Sequence, residues 1–288
     1  MNVACAVEAC AVEACAIEKK SVVVAGTYRL IKKIGEGSFG KIFAAKNKIT
    51  GEEVAVKLIK TEHKTIWENE INILERLKEV KHIPSLYAAG TEGQFNYIVM
   101  DLLEQNLEQL KTNYGANLTM KVILQLGLQM LTVIEAIHSK GIIHRDIKPA
   151  NFLLKTNKQN ISELYLIDFG LACSYVTDEK KHIQMRTNKP LIGTTRYMSI
   201  NAHQGITASR KDDLESLGYI LVYLSKGELP WQNSGEMALA IKQSFGWTYG
   251  SVIVGEFLLF IQYCRGLPFA DQPKYDYLRT MLTNLTQL

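Results

Sequence analysis

The stretch His144-Arg145-Asp146-Ile147-Lys148-Pro149-Ala150-Asn151 is a polar island between two apolar anchors, Gly141–Ile143 and Phe152–Leu154. Such a segment reads as a loop presented by a scaffold. Its residue types carry chemistry. Asp146 can accept a proton from a hydroxyl, Lys148 can neutralise phosphate charge, and Asn151 can ligate a hard cation through oxygen. Downstream, Asp168-Phe169-Gly170 follows the apolar run Leu164–Ile167. Asp168 supplies a second oxygen ligand, and Gly170 allows an unusual turn.

Upstream lies Gly35-Glu36-Gly37-Ser38-Phe39-Gly40-Lys41-Ile42. A dinucleotide-binding G-x-G-x-x-G should open a helix and be followed by an acidic ribose ligand. Here Ile42 and Phe43 continue as a strand, so the glycines sit in a hairpin turn, where backbone amides can approach phosphates. Val54-Ala55-Val56-Lys57 places a lysine on the next strand, seventeen residues after Gly40. From there its ammonium can reach phosphates if a carboxylate steadies it. Glu70 on the following helix is well placed for that, and Glu68 less so.

Around these motifs the organisation is two-part. Tyr28–Ile34, Lys41–Lys46 and Glu53–Lys60 read as a three-strand meander, Trp67–Lys78 as a helix, and Tyr97–Leu103 as a short buried strand. Beyond Leu103 helices dominate: Met120–Ser139, Asp213–Ser225, Glu256–Cys264 and Tyr275–Leu285. Asp213 and Glu215 lie near the positive end of their helix. A β-rich part followed by an α-rich part predicts an α+β fold with two lobes. The N-lobe is expected over about 22–101, a hinge at about 101–104, and the C-lobe over about 105–288. Long loops between Phe152 and Asp212 are candidates for function.

Composition excludes several classes. The 288 residues are 47% hydrophobic and 22% charged, close to the globular average, which argues against disorder, collagen or coiled coil for the whole chain. A net charge of +4 gives no ground for a nucleic-acid partner. No apolar run reaches the ~18–20 residues of a membrane span; the best candidate, Val122–Ile134, is bounded by Lys121 and Glu135. The five cysteines form no CxxC pair, which fits a reducing compartment better than a disulfide framework or zinc site. Three of them fall in the repeat Ala4–Glu18. Its five-residue period spreads them around a helix, so 1–21 reads as a low-complexity appendage outside the fold.

The four motifs, in this order, resemble the protein-kinase signature set from about Gly26 onward. The resemblance implies a bilobal protein-kinase-like fold, with a small β-rich N-lobe and a larger α-helical C-lobe, and Mg-ATP-dependent phosphoryl transfer. It assigns Gly35, Gly37 and Gly40 to the phosphates, and Lys57, held by Glu70, to the α/β-phosphates. Asn151 and Asp168 would hold Mg²⁺, Asp146 would deprotonate the hydroxyl, and Lys148 would stabilise the transferring phosphoryl. Ile34, Ile42, Ala55, Met100, Leu153 and Ile167 would wall an adenine pocket, with Met100 as gatekeeper and backbone groups near Asp101 and Leu103. Thr194 resembles the threonine that ties the activation segment to the catalytic loop. Asp213 resembles the helix-start aspartate that hydrogen-bonds that loop's backbone. A pseudokinase scaffold is disfavoured because the catalytic positions are filled, and a small-molecule phosphotransferase because the peptide-facing segment is long.

Within that family, Gly193–His203 with Ser199-Ile200-Asn201 in place of Ala-Pro-Glu, Ser209–Tyr219, and Leu229-Pro230-Trp231-Gln232 resemble the casein kinase 1 branch. The resemblance implies a non-specific serine/threonine kinase (EC 2.7.11.1), and Arg265 loses its usual carboxylate at position 201. Glu179–Lys211 carries seven cations (Lys180, Lys181, Arg186, Lys189, Arg196, Arg210 and Lys211) and one acid, Glu179. Such a stretch should attract acidic or phosphorylated peptides. The resemblance matches an anion site to Lys189, Arg196 and Lys242, although the stretch from Trp231 to Glu256 is shortened and poor in basic residues. Expected partners are therefore protein substrates with acidic or phospho-primed Ser/Thr motifs, with no nucleic acid and no membrane. The expected enzyme is a monomer of the cytoplasm and also of the nucleus. No C-terminal inhibitory tail is expected after Leu288.

Overall fold

The computed structural model describes residues 22–37, 39–156, 162–244 and 252–285. The cysteine repeat, Ser38 and residues 245–251 of the shortened stretch lie outside them. The architecture is α+β. The chain forms two compact units, one of 22–78 with Pro84–Leu103 and one of Glu79–Ile83 with 104–285. It passes from the first to the second at Leu103–Glu104, and the short segment Glu79–Ile83 packs with the second.

The first unit is a six-stranded antiparallel sheet with one α-helix. Its strands are β1 (Val23–Val24), β2 (Tyr28–Gly37), β3 (Gly40–Asn47), β4 (Glu53–Lys60), β5 (Leu86–Glu92) and β6 (Phe95–Asp101), in the order β1-β2-β3-β4-β6-β5. Side chains alternate between the faces of a strand, and partners across an antiparallel ladder share a face. Val54, Val56 and Leu58 of β4 therefore join Phe43, Ala45 and Val99 in one apolar cluster, closed by Val24. The opposite face holds the row Ile42–Lys57–Ile98 and the row Ala44–Ala55–Met100. Helix α1 (Lys64–Arg76) buries Glu70, Ile73 and Leu74 at helical spacing, and the Trp67 indole donates to the Tyr97 carbonyl at 3.1 Å.

Edge strand β5 was not evident in the sequence. Its Ala-Ala-Gly centre has weak strand propensity, and it is held by pairing with β6. The helix expected to end at Lys78 stops at Arg76, where the Leu77 amide shares the Ile73 and Leu74 carbonyls.

The second unit is mostly helical: α2 (Leu107–Tyr114), α3 (Met120–Ser139), α4 (Ile200–His203), α5 (Arg210–Lys226), α6 (Ala238–Ser244), α7 (Val252–Gly266) and α8 (Tyr275–Leu285). By length and composition alone α3 could cross a membrane. It packs against α5 and α8 and buries side chains from Ile123 to His138, as a core helix does. Helix α5 is buried from Asp212 to Leu224. A Cβ on its Gly218 would come within 2.4 Å of Ile261, so that glycine sets the closeness of α5 and α7. Two short ladders present the loops: β8 (Phe152–Thr156) with β9 (Ser162–Leu166), and β7 (Ile142–Ile143) with β10 (Cys173–Ser174). Neither these ladders nor α2 and α6 were read from the sequence.

Two hairpin glycines have different reasons to be glycine. A Cβ on Gly40 would lie 2.2 Å from the Leu58 carbonyl oxygen, whereas one on Gly37 would meet nothing within 4 Å. Gly40→Ala should therefore destabilise the fold by about 1–3 kcal/mol through overpacking. Gly37→Ala should stay within about 0.5 kcal/mol of the parent, as open surface changes do. Thermal unfolding of the two variants checks this; equal melting temperatures would refute it.

Candidate functional site

In the first unit, the Lys57 ammonium donates to both Glu70 oxygens, at 2.8 and 2.7 Å, with both side chains buried. The sheet register puts Lys57 in line with Ile42, which itself pairs with Gly35. Ala55 and Met100 form the adjacent row. Ile34 is 40% exposed. Glu68 faces Lys64 instead of Lys57. The Asp101 carboxylate accepts from the Ser85 amide (2.7 Å) and the Tyr87 hydroxyl (3.1 Å), so its side chain fixes β5 to β6 and leaves only its backbone for a ligand. Leu103 is the last residue of this unit.

In the second unit, the polar island is held from beneath by Asp213. Its carboxylate accepts from the His144 amide (2.7 Å), the Arg145 amide (2.9 Å) and the His138 ring (3.0 Å). Burial alone would raise its pKa, but the His138 hydrogen bond and charge, with the His144 contacts, hold it below the usual carboxylate value. His144 accepts the Asp146 amide at Nδ1 and reaches the Ile167 carbonyl through Nε2 (3.0 Å), which assigns a neutral ring protonated at Nε2.

Around Asp146 the predicted residues converge. Its Oδ1 accepts the Thr194 amide and hydroxyl, each at 2.8 Å, and its Oδ2 lies 2.6 Å from the Lys148 ammonium. Lys148 also donates to the Thr194 hydroxyl at 3.0 Å. Gly193 permits this approach: its φ is +103°, and a Cβ there would lie 2.5 Å from the Arg145 carbonyl oxygen.

Asn151 donates its amide NH₂ to the Asp146 carbonyl at 2.9 Å, which turns its carbonyl oxygen to the other side. The Ile167 amide donates to the Asn151 carbonyl at 3.0 Å, bringing Asp168, in a left-handed conformation, to the same place. Leu153, bridged to Asn106, and Ile167 flank these ligands in sequence. Among the described residues no group of three or more His, Cys, Asp or Glu is arranged to hold a metal ion. Two hard oxygen donors without a full protein cage suit a divalent cation that takes its other ligands from phosphate and water.

Helix α5 also anchors the end of the activation segment. Asp212 accepts the Ser199 hydroxyl and the Ser209 amide, each at 2.7 Å; burial pushes its pKa up to about 6 against these donors. Arg265 finds its carboxylate in Glu215, at 2.9 Å, and also donates to the Tyr219 hydroxyl and the Lys242 carbonyl. The place of the acid missing at Asn201 is therefore taken from α5.

The proposed anion site needs correction. Lys242 is fully buried; its ammonium donates to the Thr195 and Met198 carbonyls, both at 2.7 Å, and lies over the Tyr219 and Trp231 rings. It is not available to a peptide phosphate. Lys189 is exposed, and Arg196 is one-third exposed, with a loose contact to Glu108 at 3.8 Å and its guanidinium 5.9 Å from the centre of the Tyr197 ring. Arg210 and Lys211 are spent on carbonyls of Ala270, Arg265 and Leu267. The outward cations of the segment are Lys180, Lys181, Arg186 and Lys189. Beneath the segment lies a cavity of about 370 Å³, lined in part by Arg145, Lys189, Ile192, Met198 and Ser216, which the sequence did not announce.

Residues 28–262 match the protein kinase domain family. The chain belongs to the protein kinase family. Membership makes it a phosphotransferase that takes ATP as donor, with protein as acceptor.

Burial lowers the Lys242 pKa from the ordinary 10.5 to about 7, with Glu215 opposing and Arg265 reinforcing the shift. Between these values the unfolded chain binds more protons than the folded kinase, so stability from this residue grows as pH rises above about 7 and is absent below it. Lys242→Met should flatten the gain in melting temperature between pH 7 and pH 9. An unchanged slope would place the titration elsewhere.

Proposed function

We propose that this kinase transfers the γ-phosphate of Mg-ATP to Ser or Thr hydroxyls in acidic or phospho-primed protein segments, in the manner of casein kinase 1. The observation that carries the reading is the convergence of Lys148 and Thr194 on the Asp146 carboxylate, with the Asn151 amide on the Asp146 backbone carbonyl at 2.9 Å and 3.4 Å from its Oδ2. Asp146 would orient the acceptor hydroxyl and take its proton, while Thr194 and Asn151 keep its carboxyl group in one orientation. Lys148 would shift its charge from Asp146 towards the transferring phosphoryl. Lys57, steadied by Glu70, would meet the α/β-phosphates, and the Gly35–Gly40 hairpin would offer amides to them. Asn151 and Asp168 would hold Mg²⁺, which when bound neutralises charge on the phosphate oxygens.

The casein kinase 1 assignment rests on the resemblance of Gly193–Asn201, Ser209–Tyr219 and Leu229–Gln232. The acidic preference is supported by the exposed Lys180, Lys181, Arg186 and Lys189 on a segment that reaches the catalytic loop at Thr194.

With Mg-ATP, the purified protein should phosphorylate casein or an acidic Ser/Thr peptide. Asp146→Asn should cut that rate by at least about 10²-fold and leave ATP binding within about twofold. Absence of transfer by the parent protein, or equal rates in the variant, would overturn the reading.

Lys189→Ala and Arg196→Ala should each reduce the preference for a primed over an unprimed peptide, by about three- to tenfold for loss of one charge-assisted contact. A peptide library compared across the three proteins measures this. An unaltered preference would move the anion site elsewhere.

A further inference from the structure

The path of the activation segment from Gly193 to Ser199 is clamped at both ends, Thr194 on Asp146 and Ser199 on Asp212. Between the clamps, the Thr195, Arg196 and Met198 carbonyls each meet a donor from a distant part of the chain. Lys242 donates to Thr195 and Met198, and the Trp231 indole donates to Arg196, all at 2.7 Å. The donors are themselves fixed. The Lys242 ammonium sits 5.3 and 5.4 Å from the Tyr219 and Trp231 ring centres, its backbone carbonyl accepts from Arg265 at 3.0 Å, and Arg265 is paired with Glu215.

A buried ammonium forfeits its hydration, a loss that only good geometry offsets. A leucine or methionine would fill the same volume without that cost, so packing alone gives no reason for a lysine. What the ammonium adds is a pair of directed bonds to backbone oxygens on either side of Arg196 and Tyr197. With those carbonyls drawn inward, the Thr195 side chain is exposed and Arg196 is partly so.

We propose that Lys242 is a positioning residue for the protein substrate. It sets the course of Thr195–Met198, and so the aim of Arg196, without touching substrate or nucleotide. The inference deepens the Ser/Thr-kinase reading above and rests on it for its kinetic arm. It predicts that losing the strut weakens peptide recognition and spares nucleotide recognition, whereas a merely structural lysine would alter stability alone.

The test compares Lys242→Met and Trp231→Phe with the parent protein. Both variants keep apolar bulk and remove donors to the segment. Peptide KM should rise about tenfold or more in Lys242→Met and about threefold in Trp231→Phe, with ATP KM within about twofold in each. The double variant should fall short of the product of the single effects, because both act on one loop. Unchanged peptide KM, or equal rises for peptide and ATP, overturns the proposal. If Lys242→Met does not fold, Trp231→Phe decides by the same criteria.

A second arm does not depend on activity. Amide exchange of residues 195–199 should quicken at least about tenfold in either folded variant, while residues 144–146 keep their protection. Should the parent protein phosphorylate no peptide, the substrate reading fails and exchange alone decides the strut. Unaltered exchange at 195–199 rejects it.

Discussion

Three buried carboxylates at the start of α5 hold the second unit together around its chemistry. Asp212, Asp213 and Glu215 are each under 5% exposed. Placing three acids within four residues of one helix would be prohibitive without donors. The helix N-terminus favours negative charge, and each acid has its own set of partners. Asp213 takes the catalytic-loop amides, Asp212 takes Ser199 and the helix's own Ser209 amide, and Glu215 takes Arg265 and Tyr219. One helix thus fixes the catalytic loop, the end of the activation segment and α7. Loss of any of the acids leaves buried donors unpaired, a penalty of about 1–3 kcal/mol each.

This anchoring supports backbone that would not hold by itself. Arg145 and Asp168, neither of them glycine, both have φ of +66°. Such conformations cost of order 1–3 kcal/mol each and persist only where surroundings over-determine them. Arg145 is over-determined by its amide bond to Asp213 and by its Nε bond to the Leu171 carbonyl at 2.6 Å. Two of the six non-glycine residues with positive φ among the described residues are thus Asp168 and the neighbour of Asp146, the two carboxylates to which the proposed reaction gives roles. The first unit solves a different problem by register: β3, β4 and β6 line up so that Lys57 emerges opposite Glu70.

The α+β architecture was legible because its signals are local. Alternation along Tyr28–Ile34 and β-branched residues along Glu53–Lys60 mark strands, and the spacing of Ile71, Leu74 and Leu77 marks a helix. The polar island was legible because its apolar anchors stand beside it in sequence. What escaped notice depends on partners far along the chain. Edge strand β5 is a strand because β6 pairs with it. Lys242 was matched to a substrate anion site because nothing near it in sequence says that Tyr219 and Trp231 enclose it. Glu215 read as a helix-terminus charge, while its partner Arg265 lies fifty residues downstream. The absent acid at position 201 was visible in the sequence. Its replacement was not, because only packing of α7 on α5 brings the two side chains together.

Asp213 supports the loop amides of His144 and Arg145 and has no part in the proposed reaction itself, so its substitution separates scaffold from chemistry. The decisive measurement is the rate of phosphate transfer from labelled Mg-ATP to an acidic serine peptide by Asp213→Asn, alongside its nucleotide affinity. An asparagine has one acceptor oxygen where the carboxylate has two, so the loop amides and His138 cannot all be satisfied. Transfer should be at least about 10²-fold slower, the penalty expected when reacting groups lose alignment, with ATP affinity within about twofold. Transfer near the parent rate would contradict this role for Asp213, because the catalytic loop would then hold its shape without the carboxylate on which the structure rests it.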